Sequence, residues 1–293
     1  MRQASRQRGF VLLMVLLVLV VCGTVMAAVA RRCGQGALRA GAARREVQLR
    51  WGALSCRDVV LPKAEQLLHD RQTPEKPIVA ETRLALTLGG MTFNMVLGDE
   101  SAKANVNLLA QREGDTVLAG VLRDLQSTER QPLPVELRPA EAAATADNKL
   151  PRRYASYDQV LRFDRPSELV SPDEGASAVI RRRITFWTDG PVNLGRAELP
   201  VLREVLAGQL GETDLVRIDE LRRKGEAFSL AKVFSDLQLG KDQIEALQPL
   251  VTDKSTCHSL WIIVDGKTRS WYRLDVERPG AATDAADRWV FIW

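Results

Sequence analysis

The sequence predicts an α+β fold: a long N-terminal helix packed on an antiparallel sheet, with an α-helical insertion domain between strands. Three observations predict it. An uncharged run near the N-terminus is continued by apolar residues at helical spacing. Segments of alternating apolar and polar residues, joined by turn residues, stand near residue 90 and again after residue 258. Between them the chain reads mostly as short helices. Strands on both sides of a helical middle are most simply joined as one sheet that carries an insertion.

Composition bounds the function classes. The 293 residues are 45% hydrophobic and 27% charged. That balance excludes a fully disordered chain, a collagen and a polytopic membrane protein. With 41 basic and 37 acidic residues the formal net charge is +4, which demands no nucleic-acid partner. Cys22, Cys33, Cys56 and Cys257 form no CxxC pair, which excludes a zinc ribbon and a thioredoxin-type redox site. The spacing leaves open whether any of Cys33, Cys56 and Cys257 pair.

The first element is Phe10–Ala30, 21 residues without a charge. As a helix it is roughly 31 Å long, enough to cross a bilayer core. It suits an uncleaved signal anchor. Ala28-Val29-Ala30 also fits a signal-peptidase site, although the run exceeds the usual apolar core of a signal peptide. A third reading uses the nine residues before it, which carry Arg2, Arg6 and Arg8 and end in Gly9, directly before Phe10. This leader resembles the type IV prepilin signal. The resemblance implies cleavage by prepilin peptidase between Gly9 and Phe10 on the cytoplasmic side. The apolar helix then stays on the mature protein and Phe10 becomes its N-methylated first residue. Most pilins carry Glu at the fifth mature position, which here is Met14. A carboxylate in lipid is costly unless paired, and in pilins it is thought to pair with a neighbour's N-terminal amine. Its lack is typical of K-type minor pseudopilins of type II secretion. Arg31, Arg32, Arg39, Arg44 and Arg45 follow the run, so the positive-inside rule alone does not favour a cytoplasmic N-terminus. The peptidase reading sets that orientation.

Residues 31–72 read as a continuation of the helix. Val47, Leu54, Leu61 and Leu68 recur every seven residues beside Trp51 and Ala64. Gly34, Gly36 and Gly41 weaken its first part, and Pro62 predicts a kink. Thr82–Leu88 and Met91–Leu97 alternate around Gly89-Gly90, a two-residue hairpin turn. A loop bearing Asp99 and Glu100 then leads through Asn105-Val-Asn107 into a helix. Residues 131–149, rich in Pro and Ala, read as a linker or an exposed loop. Ala178–Trp187 alternates well enough for a strand. Glu198–Leu206, Asp214–Lys224 and Gln243–Leu250 read as helices, the first two separated by a glycine-containing turn at 207–211. Leu260–Val264 and Ser270–Val276 flank Asp265-Gly-Lys-Thr as a second hairpin, and Trp289–Ile292 supplies a further strand.

This order resembles the general secretion pathway protein K family. The matching segments are Asp99-Glu-Ser-Ala-Lys-Ala-Asn105-Val-Asn107-Leu-Leu, Trp187-Thr-Asp189-Gly190-Pro-Val-Asn193-Leu, Leu202-Arg-Glu-Val-Leu206, Ile218-Asp-Glu-Leu-Arg222, Phe228 and Val251-Thr-Asp-Lys-Ser255. The family's usual Asn-Thr-Ala is replaced by Asn193-Leu-Gly-Arg-Ala197, and the helical repeat near 154–170 is truncated. The resemblance implies a pilin-like fold divided into leader (1–9), membrane helix (10–30), its continuation (31–72), a β region (73–110 and 252–293) and a helical insertion (111–251). It implies a minor pseudopilin at the pseudopilus tip that supports protein export across the outer membrane. It would be single-pass in the bacterial inner membrane, N-terminus cytoplasmic and bulk periplasmic. Implied partners are the I-type and J-type minor pseudopilins, prepilin peptidase, the inner-membrane secretion platform and membrane lipid, with no nucleic acid.

The polar residues carry their own expectations. Asn105, Asn107 and Asn193 read as helix caps or partners for backbone groups where sheet meets insertion. Asp99, Glu100 and Asp189 are oxygen donors of the kind calcium takes, and some relatives in the resembled family bind calcium. No EF-hand spacing supports a site here, so the expectation is no cofactor. Cys257-His258 lacks further ligands for a metal. Asp265-Gly-Lys-Thr lacks the first glycine of a phosphate loop and reads as a turn. With no nucleophile, zinc or dinucleotide motif, nothing argues for an enzyme. The alternative is a membrane-anchored helix-hairpin-helix module for DNA binding or uptake in residues 190–251. Arg222, Arg223 and Lys224 would meet phosphates there, against the repulsion of Glu212 and Asp214 beside Gly208 and Gly211.

Overall fold

A computed structural model describes residues 4–73, 78–126, 132–139, 153–163, 176–224, 228–265, 270–278 and 288–292. The chain divides into two compact units, Met1–Gly52 and Ala53–Trp293. Most of residues 131–149, the hairpin turn at 266–269 and the end of the 154–170 segment lie outside the described residues.

The first unit is helix throughout its described length. Helix α1 runs Ala4–Val60, 57 residues, or about 86 Å at the α-helical rise. Gly34, Gly36 and Gly41 lie inside it without a break.

The second unit begins with the last residues of α1. At Pro62 the chain tightens into a 3-10 turn, Leu61–Lys63, and resumes as α2, Ala64–His69. The turn is where a residue without an amide proton does least harm. The face that this segment buries is Ala53, Cys56, Val60, Leu61, Ala64 and Leu68. It departs from the seven-residue stripe: Val47 and Trp51 are exposed and Leu54 is half-buried. The buried run keeps the three-to-four-residue spacing of a helix on its core, so the stripe's second half, Leu61, Ala64 and Leu68, makes the contact, joined by the small Ala53 and Cys56 in place of Val47 and Trp51.

Strands β1 (Glu81–Leu88) and β2 (Met91–Asp99) form the first hairpin. Gly89 and Gly90 both have positive φ, the turn type that a two-residue hairpin requires. The chain then makes a 3-10 turn, Glu100–Ala102, and a short β3, Ala104–Asn105. Helix α3 follows, Val106–Asp124, broken at Gly114, whose φ of 77° no bulky residue adopts readily. Next come α4 (Ala176–Arg183), β4 (Ile184–Thr185), β5 (Val192–Asn193), α5 (Leu199–Val205), α6 (Glu212–Arg223), α7 (Leu230–Asp236), α8 (Lys241–Leu247) and β6 (Val251–Thr252). β3 pairs with β4 and β5 with β6, both parallel. Strands β7 (His258–Val264), β8 (Trp271–Glu277) and β9 (Arg288–Ile292) complete a five-stranded antiparallel sheet in the order β1-β2-β7-β8-β9. The fold is α+β, and the helical segment is inserted between the adjacent strands β2 and β7.

Residues 178–187 are not a single strand. Ala178, Val179 and Ile180 are buried consecutively at the start of α4, and only Ile184-Thr185 is extended. A segment enclosed on all sides loses the alternation by which strands are read. The arginines that close α4 also suit the negative end of a helix.

Register sorts the sheet into two faces. One carries Phe93, Met95, Leu97, Leu260 and Ile262, and β1 and β7 on it meet α2 and the Leu61–Lys63 turn. The other carries Val96, Trp261, Leu274 and Val276, which join the core of the insertion. An aromatic chain crosses this second boundary. Tyr157 lies edge-on to Phe186 at 5.1 Å and near Trp261 at 6.3 Å, and Trp187 lies 6.0 Å from Phe291. Offset and edge-on pairs add to the burial of their own area.

Candidate functional site

Two places concentrate the candidate residues: the start of α1, and the junction where β2 passes into the insertion. At the first, residues 4–9 and Phe10 are continuous helix, and every side chain from Phe10 to Ala30 is exposed. Among the described residues this is the one helix long and apolar enough to cross a membrane, and it fits a single-pass anchor. Phe10 is 64% exposed and Met14 48%. An uninterrupted apolar surface of this size in water is untenable without lipid or other helices around it.

At the junction the acids do not form an exposed loop. Asp99 is the last residue of β2, Glu100 opens the next turn, and both are fully buried. Strand alternation sends neighbouring side chains to opposite faces, and the two carboxylates take different partners. Glu100 pairs with the buried Lys103 and accepts from Ser259 Oγ at 2.5 Å. Gly98 makes room for this pair: a Cβ there would lie 3.0 Å from Ser259 Oγ and 3.6 Å from Lys103 Nζ. Asp99 accepts from the Ser101 amide at 2.9 Å and from Ser255 Oγ, and lies 3.4 Å from Arg196. Burial pushes the Asp99 carboxyl above its ordinary pKa, while His258, Ser255 and Arg196 pull the other way.

Arg196 ties three elements together. It grips Glu65 of α2 with both terminal nitrogens, at 2.8 and 2.6 Å, and donates to Ser255 Oγ at 3.1 Å. His258 Nε2 lies 3.5 Å from the same Glu65 carboxylate. His258 and Arg196 together hold Glu65 down at a pKa of about 2. The helix, the sheet and the insertion thus share one charge network.

The asparagines complete it. Asn105 Oδ1 caps α3, accepting from the amides of Asn107 and Leu108, and its Nδ2 donates to the Thr188 carbonyl at 2.7 Å. Asn107 donates to the Tyr154 carbonyl and accepts from the Tyr154 amide. Asn193 accepts from the Gly195 amide and donates to Ser255 Oγ, both at 2.9 Å. Each satisfies backbone groups that would otherwise be orphaned in the interior.

Asp189 is not part of this network. It is exposed and pairs with Arg278 at 2.8 Å. The three oxygen donors therefore face three different environments, and two of them are compensated by buried cations. Among the described residues no three His, Cys, Asp or Glu side chains converge as a metal site would require. Cys257 and His258 are buried, and burial pushes the Cys257 thiol well above its ordinary pKa. All four cysteines are free thiols, with Cys22 and Cys33 exposed on α1.

Of the helix-hairpin-helix arginines, Arg222 is committed inward and Arg223 is exposed. Arg222 is buried, donates to the Leu194 carbonyl at 3.1 Å and pairs with Asp219, which also holds Arg223 at 2.7 Å. Glu212 pairs with Arg203. Of the three expected phosphate contacts, Lys224 alone is exposed without an acidic partner among the described residues.

Sequence reasoning missed Lys103, Arg196, Ser255, Ser259 and Glu65. An arginine or lysine near an acidic segment reads as surface by default. Gly98 before two acids was the available signal, since a glycine at a strand end leaves space for something.

No known protein family's sequence pattern matches this chain, and no curated protein matches it. Among solved structures it is similar to a chain in the crystal structure of the GspK-GspI-GspJ complex from the enterotoxigenic Escherichia coli type 2 secretion system. The two are 12% identical, with a TM-score of 0.44, over 87% of this chain and 98% of that one.

Proposed function

We propose that the chain is a K-type minor pseudopilin of a type II secretion apparatus, a structural subunit at the pseudopilus tip. The observation that carries this reading is the basic leader ending in Gly9-Phe10, set directly before a helix whose side chains are all exposed from Phe10 to Ala30. A prepilin peptidase would cut between Gly9 and Phe10 and leave the helix on the protein, anchored in the inner membrane with the second unit in the periplasm. When the pseudopilus grows, that helix would exchange lipid for the apolar helices of neighbouring pilins, van der Waals packing replacing one apolar surface by another. Met14 in place of the usual acid removes the partner that a following subunit's amine would require, which suits a terminal position. The α-rich insertion then becomes a bulk that no further subunit covers, while the I-type and J-type minor pseudopilins sit beneath it. Extraction from the bilayer is uphill, and the energy for it comes from the assembly machinery, because this chain holds no nucleotide motif. The protein is a scaffold in this reading, with no metal or cofactor required.

The mature N-terminus tests the proposal. Mass spectrometry of the native protein is expected to find methylated Phe10 at the start, and Gly9→Leu is expected to leave residues 1–9 attached. A protein beginning after Ala30 and free in the periplasm overturns it.

A further inference from the structure

The second unit contains a cavity of about 550 Å³ beside the start of β1. Among the described residues its wall holds Arg71, Arg83, Arg182 and Arg196 and two acids, Glu81 and Glu198. Both acids are already engaged. Glu81 pairs at 2.7 Å with Arg181, which is buried behind it with Nε and Nη1 making no hydrogen bond. Glu198 accepts from Arg183 Nε at 2.9 Å. Arg182 reaches Glu198 only at 3.6 Å, and its own Nε is buried without a hydrogen-bond partner. Arg71 makes no hydrogen bond or ion pair among the described residues. Arg196 is already held by Glu65 and Asp99, so the donors left without an acceptor are Arg181 Nε and Nη1 and Arg182 Nε, with the exposed Arg71 at the mouth. A desolvated donor with no acceptor costs free energy that a further carboxylate would recover.

The cavity adjoins a second unsatisfied feature. Among the described residues β1 is an edge strand, eight residues long, bonded to β2 on one side only. A regular edge of that length, unpaired by any described strand, is a template for another strand.

We propose that this cleft receives an acidic peptide segment in extended conformation, which pairs with the free edge of β1 and delivers a carboxylate to Arg182 and Arg71. The strand edge supplies main-chain donors and acceptors that a small anion cannot use. Glu81 and Glu198 in the wall favour a singly charged carboxylate over a phosphate dianion by like-charge repulsion. The inference does not depend on the secretion reading, because it concerns a site within the second unit and is read by direct binding.

The test uses the full-length chain in a neutral detergent and two fluorescein-labelled peptides, Glu-Val-Glu-Val-Glu-Val and its glutamine counterpart, followed by fluorescence anisotropy. The acidic peptide is expected to bind about tenfold or more tighter, as a charge-assisted pair at a partly desolvated site should. Its affinity is expected to fall with added salt. Arg182→Gln and Arg71→Gln are each expected to weaken it severalfold with the melting temperature unchanged, and Arg182→Lys to restore part of the loss. Equal binding of the two peptides overturns the proposal, as does undiminished binding by both glutamine variants. Full displacement by an equal concentration of inorganic phosphate also overturns it, since the cleft would then hold a small anion and no peptide.

Discussion

Helix α1 from Phe10 to Ala30 and the sheet–insertion junction solve opposite problems. The first has no charge and every side chain outside. The second has Asp99, Glu100, Lys103, Arg181, Arg196 and Arg222 inside. An apolar helix needs nothing from its own chain, since its backbone bonds are internal and lipid or another helix supplies the surroundings. A buried charge needs a named partner at a few ångströms, and that partner must come from elsewhere in the sequence. The comparison teaches where each region is vulnerable: the helix to any charge, the junction to the loss of one.

The largest effect is expected at the junction. Lys103→Met leaves Glu100 uncompensated at full burial, and breaking such a pair costs about 3–5 kcal/mol. For a unit of this size that is a fall of roughly 10 °C in melting temperature, measured by circular dichroism. Glu100→Leu together with Lys103→Met is expected to recover much of the loss, because the orphan charge goes with its partner. Equal destabilisation by the single and double variants would show that packing, not charge, dominates there.

A charge in the apolar helix should act next and elsewhere. Val20→Arg at its middle is expected to cost about 2.5–3.5 kcal/mol of membrane insertion. Fractionation would show the protein leaving the membrane while the melting of the second unit stays unchanged. A concurrent loss of that melting transition would break the separation drawn between the two regions.

The smallest effect sharpens the picture of the junction. Glu65 is held at a pKa of about 2, below the unfolded value of about 4.3, so it stabilises the fold above the unfolded pKa. That contribution is lost as pH falls through the folded value. Its side chain is 62% exposed, so solvent screening limits the contribution to under about 1 kcal/mol. Glu65→Gln is expected to melt a few degrees lower at pH 7, with the difference closing between about pH 4 and pH 2. A difference that persists at pH 2 would mean that Glu65 acts through packing.

Legibility followed the same division. The hairpin at Gly89-Gly90, the strands after residue 258 and the cap at Asn105 were readable because their signals are local: positive-φ turns, alternation and a side chain two residues from its backbone partner. The helical start of 178–187 was not, because consecutive burial of Ala178, Val179 and Ile180 erases the periodicity that distinguishes helix from strand. The helix contact was misplaced for a related reason. Leu61, Ala64 and Leu68 of the stripe are buried, but at its start large residues dominate the pattern, and Ala53 and Cys56 make the contact that Val47 and Trp51 do not. The cleft beside β1 was invisible, since Arg71, Glu81, Arg182 and Glu198 meet only through the folding of the sheet against the insertion.

Order along the chain was enough to establish an apolar helix of membrane length, the strands on either side of a helical middle and the glycines that turn the first hairpin, because each depends on residues within a few positions of one another. Which charges pair in the interior and which arginines stay unsatisfied were settled by contacts across the chain, 159 positions in the case of Glu100 and Ser259. Charge pairing falls off over a few ångströms of space and takes no account of separation along the chain.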